Sequence, residues 1–559
     1  MQIIIKSFRV AFLFLLPLSV FSQTNYLPLG SKDYILLDRL EIKSANPNLN
    51  YSTIKPYSRK HMVKEVEAID SLTNMGDSNV VSLSNVDRYN IDRFLMNNSE
   101  WSKPRESYLS KKSFFNTFYT TKGNLFEVNK EDFFLAINPL ISYQQSVERG
   151  NRQNIFYNSR GVSLRGMIAR RVGFNIYVTD NQERDPLYVQ QWISKYMAVP
   201  GNGFYKKFKS TGVDYLDARG SVSWNVAKYI DMQFGYDKNF IGAGYRSLFL
   251  SDFSNNALFF KINTRLWKFN YQNLYMELVP QHKTVNSLLG RKYLRMNHLS
   301  INPTKWLNVG LFDAVVFGRQ NLFDFQYLLP VMFLRAAEQQ VGSPDNAVVG
   351  MDAKANIKKR VQVYGQLMLD EFILTEIKKN RGSWTNKLGY QMGLKFIDVF
   401  GIKNLDLQLE QNRVTPFTYS HFDSIANYTH YNQPLAHPLG ANFQEYVGIL
   451  KYQPLNKLYL QAKLIHYYQG TDTGRSNYGS NPFKLYTTRT QEYGNFVGTG
   501  NKATSNNIML LASYEVKENL FIDGSLQNRS YKLASGGNQK TTVLSLGVRW
   551  NMARREFDF

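Results

Sequence analysis

The chain has 559 residues, with 67 Lys and Arg against 44 Asp and Glu for a formal charge of +23, and it contains no cysteine. That absence excludes disulfide frameworks, thiolate zinc sites, iron–sulfur clusters and cysteine nucleophiles together. Aromatic residues make up 14% and charged residues only 20%, which fits neither a disordered chain nor an ordinary cytosolic enzyme.

Lys6 and Arg9 precede an apolar run over 10–20, and a cut after Ser22 leaves small or branched residues at its minus-three and minus-one positions. Residues 1–22 therefore read as a secretory signal peptide. No Cys follows the cut, so a lipid-anchored lipoprotein is excluded, and removal leaves a charge of about +21. Residues 23–112 read as an extended and helical periplasmic or plugging element. Ser58 is placed to cap a helix whose stripe is Met62, Val63, Val66, Ile69 and Leu72, and a second helix is expected over 86–96 with Tyr89, Phe94 and Leu95.

From about residue 113 the pattern changes to period-two alternation broken by Asn, Gly, Asp and Lys turns. In Leu405-Asp-Leu-Gln-Leu-Glu410 the odd positions are apolar and the even ones polar. The same alternation runs through 230–237, 361–369 and 458–464. Leu544, Leu546, Val548 and Trp550 share one face of the last segment, opposite Ser545, Gly547 and Arg549, and the chain ends in Phe559. A terminal aromatic after an alternating strand resembles the targeting signal of bacterial outer-membrane barrels. The most apolar stretches, such as Tyr327-Leu-Leu-Pro-Val-Met-Phe-Leu334, are too short to cross a bilayer as a helix, which needs about 20 residues.

A soluble all-β protein and a transmembrane barrel both produce such alternation. Signal peptide, terminal Phe, absent Cys and abundant Tyr select the barrel, with apolar side chains toward lipid, polar ones toward the lumen and aromatic girdles at the interfaces. Lipid leaves no water for unpaired backbone groups, so the sheet must close. Residues 113–559, at about 24 residues per strand and connection, give on the order of 18 strands in an antiparallel outer-membrane β-barrel.

Several stretches in order resemble the capsule assembly Wzi family of outer-membrane barrels, within the branch that includes the gliding motility protein RemB of Bacteroidetes. They are Tyr26-Leu-Pro-Leu-Gly-Ser31, Leu37-Asp-Arg-Leu-Glu-Ile-Lys43, Gly235-Tyr-Asp-Lys-Asn-Phe-Ile-Gly-Ala-Gly-Tyr-Arg-Ser-Leu-Phe-Leu-Ser-Asp252 and His298-Leu-Ser-Ile-Asn302 with Val309-Gly-Leu-Phe312. Gly342-Ser-Pro-Asp-Asn346, Pro416-Phe-Thr-Tyr-Ser-His421 and Gln433-Pro-Leu-Ala-His-Pro-Leu-Gly-Ala-Asn442 follow. The resemblance implies an 18-stranded barrel with a periplasmic helical part, acting at the cell surface in capsular polysaccharide attachment or in surface motility.

No cofactor motif accompanies these stretches. The G-x-G of Gly242 and Gly244 lacks a third glycine and a βαβ setting, so it reads as a tight bend or a close backbone approach. His421, His430 and His437 match no compact metal spacing and read as hydrogen-bonded residues fixing a long loop. That segment, about 415–443, carries too many Pro, Tyr, Asn and His residues for a lipid-facing strand and is expected to fold into the mouth or lumen. Arg165, Arg170, Arg171, Arg219, Arg265, Arg335, Arg413 and Arg549 are spread along the chain, which excludes a nucleic-acid stripe. Most are expected to point inward and pair with carboxylates, leaving a basic lumen or rim. No G-x-S-x-G or H-E-x-x-H occurs, and the chain reads as non-catalytic.

The expected partners are the lipid bilayer and lipopolysaccharide, an acidic surface polysaccharide, and components of a motility or outer-membrane complex. Sugar rings stack on aromatic faces and acidic sugars need cations, so the ligand contact is expected at Tyr245 and Arg246 with Tyr428, His430 and Tyr431 near the barrel mouth. A diffusion channel for small solutes is the alternative. Long insertions near 186–215, 410–445 and 470–505 favour a filled lumen over an open pore.

Overall fold

The computed structural model describes residues 24–559 apart from 75–80, 112–113, 116, 284–287 and 331. The signal peptide expected over 1–22 lies outside the described residues. Period-two segments become strands whose backbone groups pair with their neighbours, and 18 of them close into one antiparallel barrel. The first nine are β1 (Phe133–Glu148), β2 (Ile155–Ile168), β3 (Val172–Arg184), β4 (Gly212–Ala227), β5 (Ile230–Asp237), β6 (Ala257–Leu266), β7 (Phe269–Leu278), β8 (Lys292–Ile301) and β9 (Leu307–Phe317). The rest are β10 (Asn346–Ile357), β11 (Val361–Glu371), β12 (Lys387–Phe396), β13 (Leu405–Val414), β14 (Phe443–Leu455), β15 (Leu458–Thr471), β16 (Asn501–Lys517), β17 (Leu520–Leu533) and β18 (Asn538–Trp550). Each pairs with its neighbour in sequence, and β18 closes on β1 with Trp550 opposite Ile141 and Val543 opposite Glu148.

Turns at one end are tight, as at 228–229, 267–268, 456–457 and 518–519, while the connections 185–211, 238–256, 318–345, 415–442 and 472–500 leave the other end. Short turns mark the periplasmic rim and long connections the extracellular one. Alternation places Leu544, Leu546 and Val548 outward, exposed to lipid, with Ser545 buried in the lumen. Trp267 and Trp306 are exposed on the short-turn side, where interfacial aromatics belong. The lumen wall is not uniformly polar. Phe259, Leu274, Met296, Phe312 and Val316 point inward and pack with Phe249, Tyr419, Tyr428 and Leu435 from the connections 238–256 and 415–442. Apolar wall and inserted loops thus form a hydrophobic core inside the barrel.

The segment before β1 folds into three helices, α1 (Asp33–Ser44), α2 (Arg59–Asn74) and α3 (Asn85–Asn97). Ser58 Oγ accepts the His61 N–H at 3.2 Å at the start of α2. A reciprocal box caps α3, with Ser84 Oγ accepting from Asp87 N–H and Asp87 accepting from Ser84 N–H, both at 3.0 Å. Val63, Val66 and Ile69 pack against Leu37, Leu40, Phe94 and Leu95. Leu72, expected on the same stripe, is instead exposed. The bundle packs against the short-turn end of the barrel. Glu41 meets the inward Lys354 at 2.7 Å, Asp38 meets Lys395 at 2.7 Å and Lys32 meets Glu515 at 2.5 Å.

Arg39 is the centre of this junction. Buried, it bonds Asp87 at 2.9 Å within the bundle, Asp398 at 3.0 Å in the β12–β13 turn and Asp406 of β13. Burial alone would raise the Asp87 carboxyl, but Arg39 and Lys43 outweigh it and hold it at about 2. A depressed carboxyl contributes stability above its unfolded value and loses it as pH falls through the folded one. Proteolysis of residues 24–112 in the detergent-solubilised barrel is therefore expected to stay slow down to about pH 4 and to accelerate toward pH 2. Arg39→Ala leaves Asp406 without its cation and Asp87 and Asp398 with Lys43 alone, costs about 3–5 kcal/mol, and is expected to release the bundle to protease at neutral pH while the barrel keeps its heat-modifiable migration.

Candidate functional site

The chain after β18 does not extend the strand. It turns back into the lumen and climbs toward the extracellular side, where Arg555 makes two 2.8 Å bonds to Glu183 near the end of β3. Tyr188 Oη and Gln527 Nε2 donate to the Phe557 carbonyl at 2.8 and 3.0 Å. Phe559, expected at a strand end, packs instead against Trp192 and Phe253 with ring centroids 5.6 Å away. Its neighbours in sequence are charged, and those charges find partners in the lumen that lipid does not offer.

Tyr245 and Arg246 meet this tail. Gly244 lets their loop approach the wall, since a Cβ there would stand 2.4 Å from Glu410 Oε2. Glu410 accepts the Tyr245 and Arg246 N–H groups at 2.7 and 3.0 Å. The Arg246 guanidinium bonds Asp558 at 3.1 Å and Glu445 at 3.3 Å, Lys463 bonds Asp558 at 2.7 Å, and Tyr245 Oη donates to Asp558. His437 bonds Glu445 at 2.7 Å from the far side. The basic and aromatic pair thus already holds a carboxylate, that of Asp558.

Tyr428, His430 and Tyr431 lie in the connection 415–442, which folds into the lumen as expected. Its joint with the 238–256 loop is made by Tyr428 Oη donating to the Phe249 carbonyl at 2.7 Å and Ser251 N–H donating to the Leu435 carbonyl at 2.9 Å. His430 Nδ1 accepts the Val279 N–H and its Nε2 faces the Asn256 carbonyl, both at 3.0 Å. Burial pulls this imidazole down to about 4, so it is neutral at physiological pH. Tyr431 stands edge-on to His282 at 4.8 Å. The two segments do meet, yet the five side chains form an internal floor and not the exposed mouth surface expected for them, because the polar tips of Tyr245, Arg246, Tyr428 and His430 are taken by protein partners and Tyr431 is nearly buried. His421 bonds the Asp423 N–H at 3.3 Å and stands apart from His430 and His437.

A partly exposed surface of the anticipated chemistry lies above that floor, on residues that no sequence motif marks. Gly382, at φ 66°, brings the β11–β12 connection against the β15–β16 connection, with Asn495 N–H donating to the Gly382 carbonyl at 2.8 Å. This joint sets Trp384 beside Tyr486 at 4.9 Å, and the Arg489 guanidinium lies 4.3 Å over the Trp384 ring. Trp384 Nε1 donates to Glu492 at 2.8 Å, Lys387 Nζ lies 4.1 Å over Tyr486, and Arg381 lies 4.3 Å over Tyr493. Phe422 adjoins Tyr486 at 6.3 Å and is 45% exposed, while Tyr493 and Phe496 are 46% and 48% exposed. The residues come from three connections distant in sequence, so no local spacing announced them.

Most lumenal arginines are paired. Arg165 bonds Glu100 at 3.0 Å, Arg219 bonds Asp217 at 3.2 Å and Arg549 bonds Asp523 at 2.6 Å. With Arg59, which has no carboxylate partner among the described residues, they line a cavity of about 160 Å³.

A closed 18-strand antiparallel barrel defines an outer-membrane β-barrel protein, and the outer membrane is its location. The sequence profile of the family described as capsule assembly protein Wzi matches residues 222–541, and the chain belongs to that family. Wzi of Escherichia coli, described as an outer-membrane protein involved in group 1 capsule assembly and a carbohydrate-binding β-barrel, superposes with a TM-score of 0.56 at 12% identity over 95% of this chain and 100% of that one. OprD of Pseudomonas aeruginosa gives 0.41 at 10% identity over 74% of this chain and 94% of its own. No curated protein matches the sequence.

Burial would by itself raise the Asp558 carboxyl, but Arg246 and Lys463 hold it well below the ordinary carboxylate range. Its contribution is therefore present at neutral pH and is lost only as pH falls below about 4. Asp558→Ala leaves Arg246 with Glu445 alone and Lys463 with Glu556 alone and is expected to cost about 3–5 kcal/mol, read as a lower transition temperature in heat-modifiability gels at pH 7. In Asp558→Asn the acid limb of that transition should flatten.

Proposed function

We propose that the protein is a non-catalytic surface barrel that holds an acidic surface polysaccharide on its extracellular loops, in capsule assembly or, as in the Bacteroidetes branch with RemB, in the gliding motility apparatus. The observation that carries this reading is the joined surface of Trp384, Tyr486, Arg489, Phe422 and Tyr493 above a lumen filled from both ends. The exposed faces of Phe422, Tyr493 and Phe496 suit sugar rings, and Arg489, whose guanidinium is also held by Glu492, supplies the cation for a uronate carboxylate. Tyr245, Arg246, Tyr428, His430 and Tyr431 act beneath it as the floor that holds the loops in place. Residues 1–22 direct export, 23–112 form the periplasmic plug, and 113–559 form the barrel.

Trp384→Ala with Arg489→Ala is expected to lower glycan retention at least ~10-fold at matched outer-membrane abundance, since an anchor of either type is worth about 2 kcal/mol. Surface glycan is measured on whole cells beside a deletion strain, and spreading motility is scored in the same strains. Full retention by the double variant places the contact elsewhere. Planar-bilayer recordings are expected to show no steady unitary current, and large steady currents would overturn the holding barrel in favour of a diffusion channel.

A further inference from the structure

The connection 318–345 takes a course unlike that of the loops that enter the lumen. On β9, Leu311 faces outward at 44% exposure, so alternation puts Asp313, Val315 and Phe317 on the same outer face. Across the register Asp313 stands opposite Asn297, and Asn297 opposite Asn273, while Arg295 stands opposite Val315. Four polar residues, Asn273, Arg295, Asn297 and Asp313, therefore occupy a wall that elsewhere meets lipid. An arginine on that face at mid-depth costs about 2–4 kcal/mol. All four are nevertheless buried.

The cover is the 318–345 connection, folded down over the outside of the barrel. Arg295 donates to the Tyr327 and Leu329 carbonyls, both at 3.2 Å, and stacks 4.2 Å from the Tyr275 ring. Tyr275 Oη donates to the Leu328 carbonyl at 3.3 Å and Tyr271 Oη to the Pro330 carbonyl at 2.9 Å. Asp313 accepts the Phe333 and Leu334 N–H groups, each at 2.7 Å. At the base Arg319 makes a two-point bond to Asp345 at 2.7 and 2.6 Å, and Tyr327 Oη joins the same carboxylate at 2.6 Å. The wall's polar groups thus satisfy the backbone of an irregular segment, which is what lipid-facing backbone requires.

The other side of the segment is apolar and open. Leu322, Phe325 and Phe333 are 69%, 76% and 72% exposed, and Leu328 and Leu329 are nearly half exposed. No charged residue occurs between Asp324 and Arg335. On the same outer face, Val349 and Met351 of β10 continue the exposed apolar surface beside it. We propose that residues 322–330 and 332–334 form a membrane-embedded flap on the outer wall, whose apolar side takes the acyl chains of the outer leaflet and whose polar side seals the Asn273, Arg295, Asn297 and Asp313 patch from lipid. Continuity with the lipid-facing wall identifies the occupant as lipid.

The cysteine-free chain makes the test direct. Phe325→Cys, Phe333→Cys and Leu322→Cys are each labelled with an environment-sensitive nitrobenzoxadiazole probe and reconstituted in phospholipid vesicles with or without nitroxide-labelled acyl chains. Leu546→Cys on the barrel wall is the lipid reference and Thr473→Cys in the β15–β16 connection the aqueous one. Flap positions are expected to emit at the wavelength of Leu546→Cys and to be quenched by nitroxide to the same extent. Emission like that of Thr473→Cys overturns the proposal. A blue shift without nitroxide quenching, or one that grows with protein-to-lipid ratio, assigns the face to a second copy and overturns it equally. Three positions with retained heat-modifiable migration as the folding control keep the test decisive where one variant misfolds.

Discussion

Closure of the sheet is the constraint from which the rest of the structure follows. A strand in lipid has no solvent for its N–H and C=O groups, so β18 must find β1, and 18 strands joined this way enclose a lumen too wide for wall side chains to fill. Such a barrel is either a water channel or a container packed with its own chain. Here the chain supplies the packing from three directions. The helices enter from the periplasm, the connections 238–256 and 415–442 from the outside, and the terminal tail from the end of β18. The inward Phe259, Phe312 and Val316 make sense only with these insertions, because they would otherwise line a water-filled pore.

Filling the lumen brings charges away from water, and the structure answers many of them with a partner from another segment. Arg39 ties the plug to the β12–β13 turn, Arg246 and Lys463 hold the tail through Asp558, and Arg555 holds it through Glu183. Such pairs add little net stability over apolar packing, but breaking one is costly. Their effect is therefore positional. They fix which insertion sits where, and so they fix the platform on which the extracellular loops rest. Trp384 and Tyr486 stand beside each other because the connections beneath them are held.

The same logic runs outward at 318–345. Where β7, β8 and β9 carry polar residues on the lipid side, an irregular segment covers them and turns its own apolar side out. The inner and outer surfaces of this barrel are thus finished by the same device, a connection folded against the wall whose polarity matches it.

Alternation, the Ser58 cap and the turn residues are local, and they sufficed for the class: an antiparallel outer-membrane barrel of about 18 strands with a helical element before it. The Wzi family stretches were likewise legible as residues in order. Phe559 was read as part of a strand because an aromatic terminus fits that pattern, and only the lumen shows that Arg555 and Asp558 needed partners that strand extension denies them. Tyr245 and Arg246 were visible as a basic aromatic pair, but whether a glycan or Asp558 meets them depends on a residue more than 300 positions away. Trp384, Phe422 and Tyr486 lie on three connections that no spacing rule links. The sequence determined which residues of a strand share a face, because that choice repeats every second residue. Which insertion fills the lumen, which covers the outer wall and which side chains remain exposed at the mouth were decided by tertiary structure alone, because those outcomes rest on pairings between segments that meet only after the sheet has closed.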